Sequence, residues 1–409
     1  MDDLACLFSF IFYLLTIIAT LEVAVKAESY LKVAFFVILF YSVAPLFPFE
    51  DFSYFSFYSD YRYRWDVFFV YGVVNLTLLI MAFLVHRINV PIVMSSQIIR
   101  SGINRLWYLF AAAFIFEVYF NFPNLIAMNK AARLASPELQ TKNLLFITVP
   151  AVEILVGYLV YDVHKKCVSL PRVVFGLLAV AYSLALGVRH VAFAAFILIF
   201  LPFVNSRIIL IILLLLITFA GELSNVLKIS VMIFFQDGID AVISYLERFF
   251  SVGFFNQLSV SNEQKAILTN LLLKLDYAEL RETSYSILIF LLPLGAQFAS
   301  WLGGVDYEGA TRLGELVGVG LGQGTAYSVH IMVFENYLAL ILLAFGVLMV
   351  AKQFNNSCFG VLVVMVIYAY MRTDFSYSGY LFWKVFMLSS FFSIISILLG
   401  KIKLRYIFS

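Results

Sequence analysis

"LGVRHVAFAAFILIFLPFVNSRIILIILLLLITFAG", Leu186–Gly221, sets two apolar runs around one short polar connection. The runs, 191–204 and 208–221, carry no charged side chain, and only Asn205, Ser206 and Arg207 part them. Neither alternates apolar with polar at period two, as the strands of a membrane barrel do, so both read as helices. Before the first run, Arg189 and His190 stand in a turn so tight that the spans 173–188 and 191–204 must form a hairpin.

Similar runs recur from end to end, many near the ~20 residues that carry a helix through hydrocarbon. The 409 residues are 63% hydrophobic and 13% charged, with a mean hydropathy of +0.97. Soluble domains carry about 25% charged residues. This chain has too little polar surface to cover a water-soluble core, and it reads as an all-α, polytopic helical membrane protein. Spans fall near 4–25, 31–49, 67–85, 106–121, 144–163, 173–188, 191–204, 208–221, 330–350, 357–371 and 380–399. That predicts about eleven transmembrane helices, with a range of ten to twelve. The chain reads as a single membrane domain over 1–409. The opening "MDDLACLFSF" puts acids where a signal peptide has positive charge, so the first apolar segment is expected to stay as a span.

The net charge is +2, with no basic tail, and no nucleic-acid partner is expected. Cys6, Cys167 and Cys358 lie far apart, without metal-ligand or redox spacing, and read as packing residues.

Lysine and arginine in short connections set the orientation. Lys26, Lys32, Arg87, Arg100, Arg105, Lys165, Lys166, Arg172, Arg207, Lys352, Lys401, Lys403 and Arg405 fall on one side, thirteen in all. Arg62, Arg64, Lys130, Arg133, Lys142, Arg189 and Arg372, seven in all, fall on the other. The richer side is expected to face the cytoplasm, with the C-terminus. An odd span count then puts the N-terminus outside.

This assignment leaves one long segment, 222–329, as a large outer loop. Within it, "SNEQKAILTNLLLKLDYAEL" sets Ser261 and Gln264 at capping-box spacing. Ile267, Leu268, Leu271, Leu272 and Leu275 then form one helical stripe. "SYSILIFLLPLGAQFASWLGG" is apolar but short and split by Pro293, as a re-entrant or interfacial element would be.

Ionisable groups within spans are costly and mark functional candidates. Glu117, Glu153, Arg189, His190, His330, Glu335 and Lys384 qualify, and most lie toward the outer half. Arg189 cannot retreat far from the membrane in so tight a turn. It suits an interfacial anchor or a ligand for a lipid phosphate or pyrophosphate, whose oxygens a guanidinium grips through two donors. Arg248, Arg281 and Arg312 add outer guanidinium groups, and Glu247 and Glu315 stand near two of them.

"GVGLGQGTAYSVHIMVFENYLAL", Gly318–Leu340, is not a dinucleotide fingerprint, because Gln323 or Thr325 takes the third glycine position. Gly320 and Gly322 would let backbone amides approach an anion or let helices pack closely. His330 then opens a span, with Glu335 deeper, and either side chain could take a proton. Asp237 and Asp240 in "FQDGID" are the one acidic pair suggestive of an ion site, and no metal-binding His/Cys cluster appears.

Together these features resemble the Wzy-type O-antigen (oligosaccharide repeat-unit) polymerases and the related O-antigen ligases, proteins of the bacterial inner membrane. The resemblance covers the architecture of nearly the whole chain, with a large periplasmic loop in its second half. Its local marks are the glycine-then-arginine turn "LGVRH" and the glycine-rich approach to His330, with Asn336 and Gly346 following. The ligase pattern has asparagine directly after the histidine, where this chain has Ile331.

The resemblance implies metal-independent glycosyl transfer without a cofactor. The substrates would be undecaprenyl-pyrophosphate-linked glycans, and a chain-length regulator and a flippase would be partners beside membrane lipids. Arg189, Arg248, Arg281 and Arg312 would neutralise the departing diphosphate, with His190, Gly320 and Gly322 beside them. His330, Glu335 or Glu247 would deprotonate the acceptor hydroxyl. Three other functions fit the composition, one of them a membrane acyltransferase. A repeat-unit flippase would carry its polar groups through a central cavity. A polyprenyl-phosphate-sugar glycosyltransferase would use acids of the first outer loop, such as Glu50, Asp51 and Asp60.

Overall fold

The computed structural model describes residues 2–27, 29–46, 64–88, 107–119, 151–166, 169–185, 189–251, 341–342, 344–352, 358–372 and 382–383, with Gln264, Ile267, Leu268, Leu271, Leu272, Leu275 and Val385. Of these residues 94% are helical, and no strand occurs among them. The helices are α1 (Asp2–Lys26), α2 (Ser29–Ser42), α3 (Trp65–Arg87), α4 (Trp107–Tyr119), α5 (Ala151–Lys165), α6 (Leu170–Ala185), α7 (Arg189–Phe200), α8 (Arg207–Asp237), α9 (Ile239–Ser251) and α10 (Gly360–Arg372). Among the described residues two helices are long and apolar enough to cross a membrane, Leu4–Lys26 and Trp65–Arg87. The shorter apolar helices have 10–17 residues, about 15–25 Å at 1.5 Å per residue. Two of the roughly eleven spans expected from the sequence thus have the length and composition of a membrane helix among the described residues.

The amphipathic order of α1 is reversed relative to that of a helix in water. Its buried face carries Ser9, Tyr13, Thr16, Thr20 and Ala24, while Leu4, Leu7, Phe8, Ile11, Leu15 and Ile18 point outward. The hydroxyls close on their own helix: Thr16 Oγ1 donates to the Tyr13 carbonyl and Thr20 Oγ1 to that of Thr16. α8 is apolar on both sides over its first turns, with Ile208, Ile209, Ile211, Ile212, Leu215 and Leu216 exposed and Leu210, Leu214, Ile217 and Thr218 buried.

α1 and α3 run parallel, because their ring contacts advance together: Phe10–Phe68 at 5.1 Å, Phe12–Phe69 at 6.2 Å and Tyr13–Tyr71 at 6.2 Å between centroids. α2 returns between them. It is enclosed on every side, each residue from Leu31 to Pro45 being buried. α10 is enclosed in the same way from Cys358 to Met371. α5 and α6 form an antiparallel hairpin in which Arg172 pairs with Asp162 at 2.9 Å, and the Gly176 backbone lies against the Leu159 side chain.

Polar contacts tie the helix ends together at one end of the bundle. Glu22 binds Arg207 at 2.6 Å and Lys26 at 3.2 Å. The Lys32 ammonium donates to the Val204 carbonyl at 2.9 Å and to Asn205 Oδ1 at 3.2 Å. His164 Nε2 donates to the Leu198 carbonyl at 2.8 Å. Lys352 caps α3 through the carbonyls of Val85, His86 and Ile88, at 2.8–3.2 Å. Among the described residues, this end gathers the cations that the sequence assigns to one side, while Arg64, Arg189 and Arg372 mark the opposite end.

Two glycines can be compared. A Cβ on Gly157 of α5 would land on the Cys358 carbonyl oxygen, where the backbones of α5 and the approach to α10 touch. A Cβ on Gly346 would lie 3.4 Å from the Phe382 ring, an ordinary contact. Gly157→Ala is therefore expected to lose about 1–3 kcal/mol of stability, the usual cost of overpacking. Gly346→Ala should stay near the wild type. Thermal unfolding of the detergent-purified protein distinguishes them.

Candidate functional site

α2 ends inside the bundle. After Ser42 the chain turns through a short 3-10 segment, Ala44–Leu46, that contains Pro45. The sequence reading carries this span to 49, whereas the helix stops at Ser42. Proline has no N–H to continue the ladder. The last carbonyls of a helix have no intrahelical donor, and a buried one must find another. Side chains from neighbouring helices supply the donors. Tyr13 Oη donates to the Ser42 carbonyl at 2.5 Å, and Gln264 Nε2 donates to the Phe40 carbonyl. Ser42 Oγ in turn donates to Asn75 Oδ1 at 2.7 Å. Asn75 is fully buried, and its Nδ2 has no hydrogen-bond partner among the described residues.

Gln264 belongs to the stripe read from the sequence. Ile267, Leu268, Leu271 and Leu272 are all buried, and Leu275 packs against the same core. Part of the long segment therefore docks on the bundle with its apolar face inward. The amide nitrogen of Gln264 closes the end of another helix; Ser261, which the sequence reading pairs with Gln264 in a capping box, lies outside the described residues.

Beside this point stands an aromatic cluster centred on Tyr368 of α10. Its ring lies 5.8 Å from Tyr41, 6.4 Å from Phe193 and 5.5 Å from the His190 imidazole. The Arg372 guanidinium carbon sits 5.3 Å from the same ring centre. Phe40, whose carbonyl takes the Gln264 amide, has its ring 4.9 Å from Tyr41 and 5.5 Å from Phe193. Tyr368 is buried, whereas His190 and Arg372 are half-buried above it. A guanidinium lying over a ring is held by the ring's quadrupole, worth about 0.5–2 kcal/mol.

The sequence-derived candidates divide as follows. Arg189 opens α7, and His190 follows it into the cluster. Glu247 and Arg248 are exposed neighbours on α9. His330, Glu335, Arg281, Arg312, Gly320 and Gly322 lie outside the described residues, as does Lys384. Asp237 and Asp240 are exposed on either side of Gly238. Among the described residues no three His, Cys, Asp or Glu side chains converge. The sequence reading missed Tyr368 and Arg372 as site residues, counting Arg372 only as a connection charge. The available signal was the i, i+4 spacing of Tyr368 and Arg372 in "YAYMR", which puts ring and cation on one face at a span end.

Comparison with family models, with curated proteins and with solved structures finds no match to this chain.

The Gln264–Phe40 bond has a measurable consequence. Gln264→Leu keeps the volume but leaves a buried carbonyl without its donor, an expected loss of about 1–3 kcal/mol. Ser244→Ala, on an exposed position of α9, should leave the unfolding midpoint unchanged. Equal midpoints for wild type and Gln264→Leu would remove the amide from the account of the α2 terminus.

Proposed function

We propose that the chain is a multi-pass protein of the bacterial inner membrane that joins undecaprenyl-pyrophosphate-linked oligosaccharide repeat units at the periplasmic face. Support for a lipid setting comes from the reversed amphipathic order of α1 and from the exposed apolar side of α8. Exposed leucine, isoleucine and phenylalanine around buried hydroxyls suit hydrocarbon, where small and polar residues sit between helices. Support for the orientation comes from the cation-rich end, which then faces the cytoplasm.

The observation that carries the chemistry is the grouping of His190 and Arg372 around Tyr368 at the cation-poor end, where Arg189 opens the helix that carries His190. In the proposed reaction a hydroxyl oxygen of the incoming unit bonds to the anomeric carbon of the growing glycan. The bond from that carbon to the diphosphate oxygen breaks, and undecaprenyl pyrophosphate leaves with the electron pair. The hydroxyl proton passes to a base, for which His330, Glu335 and Glu247 are the candidates. Arg189 and Arg372 neutralise charge as it gathers on the leaving diphosphate, with Arg248, Arg281 and Arg312 as further contributors from the long segment. Donors aimed at developing charge in a dry site are each worth about 10²–10³ in rate.

The test is the surface glycan of cells that carry single substitutions. Arg189→Ala and Arg372→Ala should each leave lipopolysaccharide with at most one repeat unit, at normal protein level. Arg372→Lys should fall well short of full chain length, because an ammonium cannot present two parallel donors. Wild-type chain lengths in both alanine variants would overturn the proposal. Lipid-linked units trapped on the cytoplasmic side would instead mean transport.

A second test concerns Tyr368. Tyr368→Phe keeps the ring under His190 and Arg372 and should preserve chain length, whereas Tyr368→Ala should shorten it. Matched protein levels between the two separate positioning from folding.

A further inference from the structure

The amphipathic stripe that the sequence places in the long segment is buried in protein, yet another helix of that segment leaves an apolar edge exposed. α8 does not stop at residue 221 but runs on to Asp237, 31 residues in all. At 1.5 Å per residue that is about 46 Å, close to the ~40–45 Å of a bilayer counted with its headgroup layers. Arg207 at its start belongs to the cation-rich end through Glu22. Its last turn therefore reaches the headgroup layer of the other leaflet.

An apolar side chain is exposed at that level as well. Phe234 stands about five turns beyond Leu216, hence on the same face, and both are exposed. One turn later Gly238 ends the helix, with φ +83° and its N–H bonded to the Phe234 carbonyl at 3.2 Å. A positive φ of this kind is open to glycine and costly for other residues. No atom lies within 4 Å of where its Cβ would be, so the glycine is there for the bend and not for close packing.

α9 begins at once beyond the bend. Ile239, Val242, Ile243 and Leu246 share one side, and Asp240, Ser244 and Glu247 occupy another. Val242 and Leu246 are half-buried, whereas Ile239 is 57% and Ile243 48% exposed. In water that apolar edge would have nothing to face. At the depth fixed by α8 it meets the boundary between headgroups and acyl chains.

We infer that α9 is an interfacial helix, its Ile239–Ile243 edge seated in the lipid of the leaflet opposite the cation-rich end and its acidic side turned to water. The partner is the bilayer surface itself, the usual seat of a helix with one apolar edge and one charged side. This rests on the lipid setting proposed above and not on the glycosyl-transfer reaction. It also sets Glu247 and Arg248 at headgroup level, the depth at which a lipid diphosphate lies.

The test uses nitroxide spin labels, one at a time, on full-length protein with Cys6, Cys167 and Cys358 replaced by alanine. The protein is reconstituted in phosphatidylethanolamine–phosphatidylglycerol vesicles. Labels go at Ile212 on α8, at Ile239 and Ile243 on the α9 edge, and at Asp240 and Ser244 on its polar side. Collision with oxygen marks lipid, and collision with a water-soluble nickel chelate marks solvent. Ile212 should favour oxygen strongly, Ile239 and Ile243 should favour it severalfold over the chelate, and Asp240 and Ser244 should show the reverse. Ile239 and Ile243 collide mostly with the chelate if the edge faces water, and with neither reagent if protein covers it. Either result overturns the inference. A chelate-accessible Ile212 would instead overturn the lipid setting, so the two failures are distinguishable.

Discussion

A helix that stops inside a bundle leaves carbonyls that no residue of its own can satisfy, and in a dry interior each one is costly. The described structure meets that requirement at several helix ends with a side chain from elsewhere in the chain. Gln264 and Tyr13 close α2, Lys352 closes α3, His164 binds a carbonyl of the last turn of α7, and Lys32 holds the turn between α7 and α8. These contacts join positions far apart in sequence, so each also fixes which helices are neighbours. Between helices in hydrocarbon, apolar contact alone supplies little preference, because lipid tails are as apolar as leucine. Directional bonds to buried backbone then decide the arrangement, and the end of α2 is where the most of them converge.

That convergence explains why the His190–Tyr368–Arg372 group sits where it does. The Phe40 carbonyl is held by the long segment, and the Phe40 ring packs on Tyr41 and Phe193. Those two rings pack in turn on Tyr368. The last turn of α2 is therefore a fixed wall behind the ring that carries both the imidazole and the guanidinium. Any displacement of the docked helix would reach Arg372 through these rings and not through a flexible loop.

Much of the helical architecture could be read from the sequence, because long apolar runs without period-two alternation mark helices. The stripe from Ile267 to Leu275 was legible for the same reason, since a 3.6-residue period survives in any setting. The end of α2 was not, because "FYSVAPLF" stays apolar beyond the last helical residue, and hydropathy does not record where a ladder ends. Nor was the continuation of α8, where Glu222, Asn225 and Lys228 lower the hydropathy without breaking the helix. The neighbours of Tyr368 were hidden because the sequence separates them widely. Period and composition report on a residue's own helix and say nothing of which other helix it meets.

The pairing of cation and ring bears on the choice of residue at position 372. A lysine there would direct its single ammonium into the ring face and spend its charge on it. A guanidinium is planar and delocalised and stacks on an aromatic ring. The buried tyrosine thus orients Arg372, which is itself half-buried. His190 approaches the same ring at a 31° tilt from the first turn of α7. One buried ring at the end of α10 thus brings together an imidazole from α7 and a guanidinium from its own helix, two side chains that the sequence separates by 182 positions.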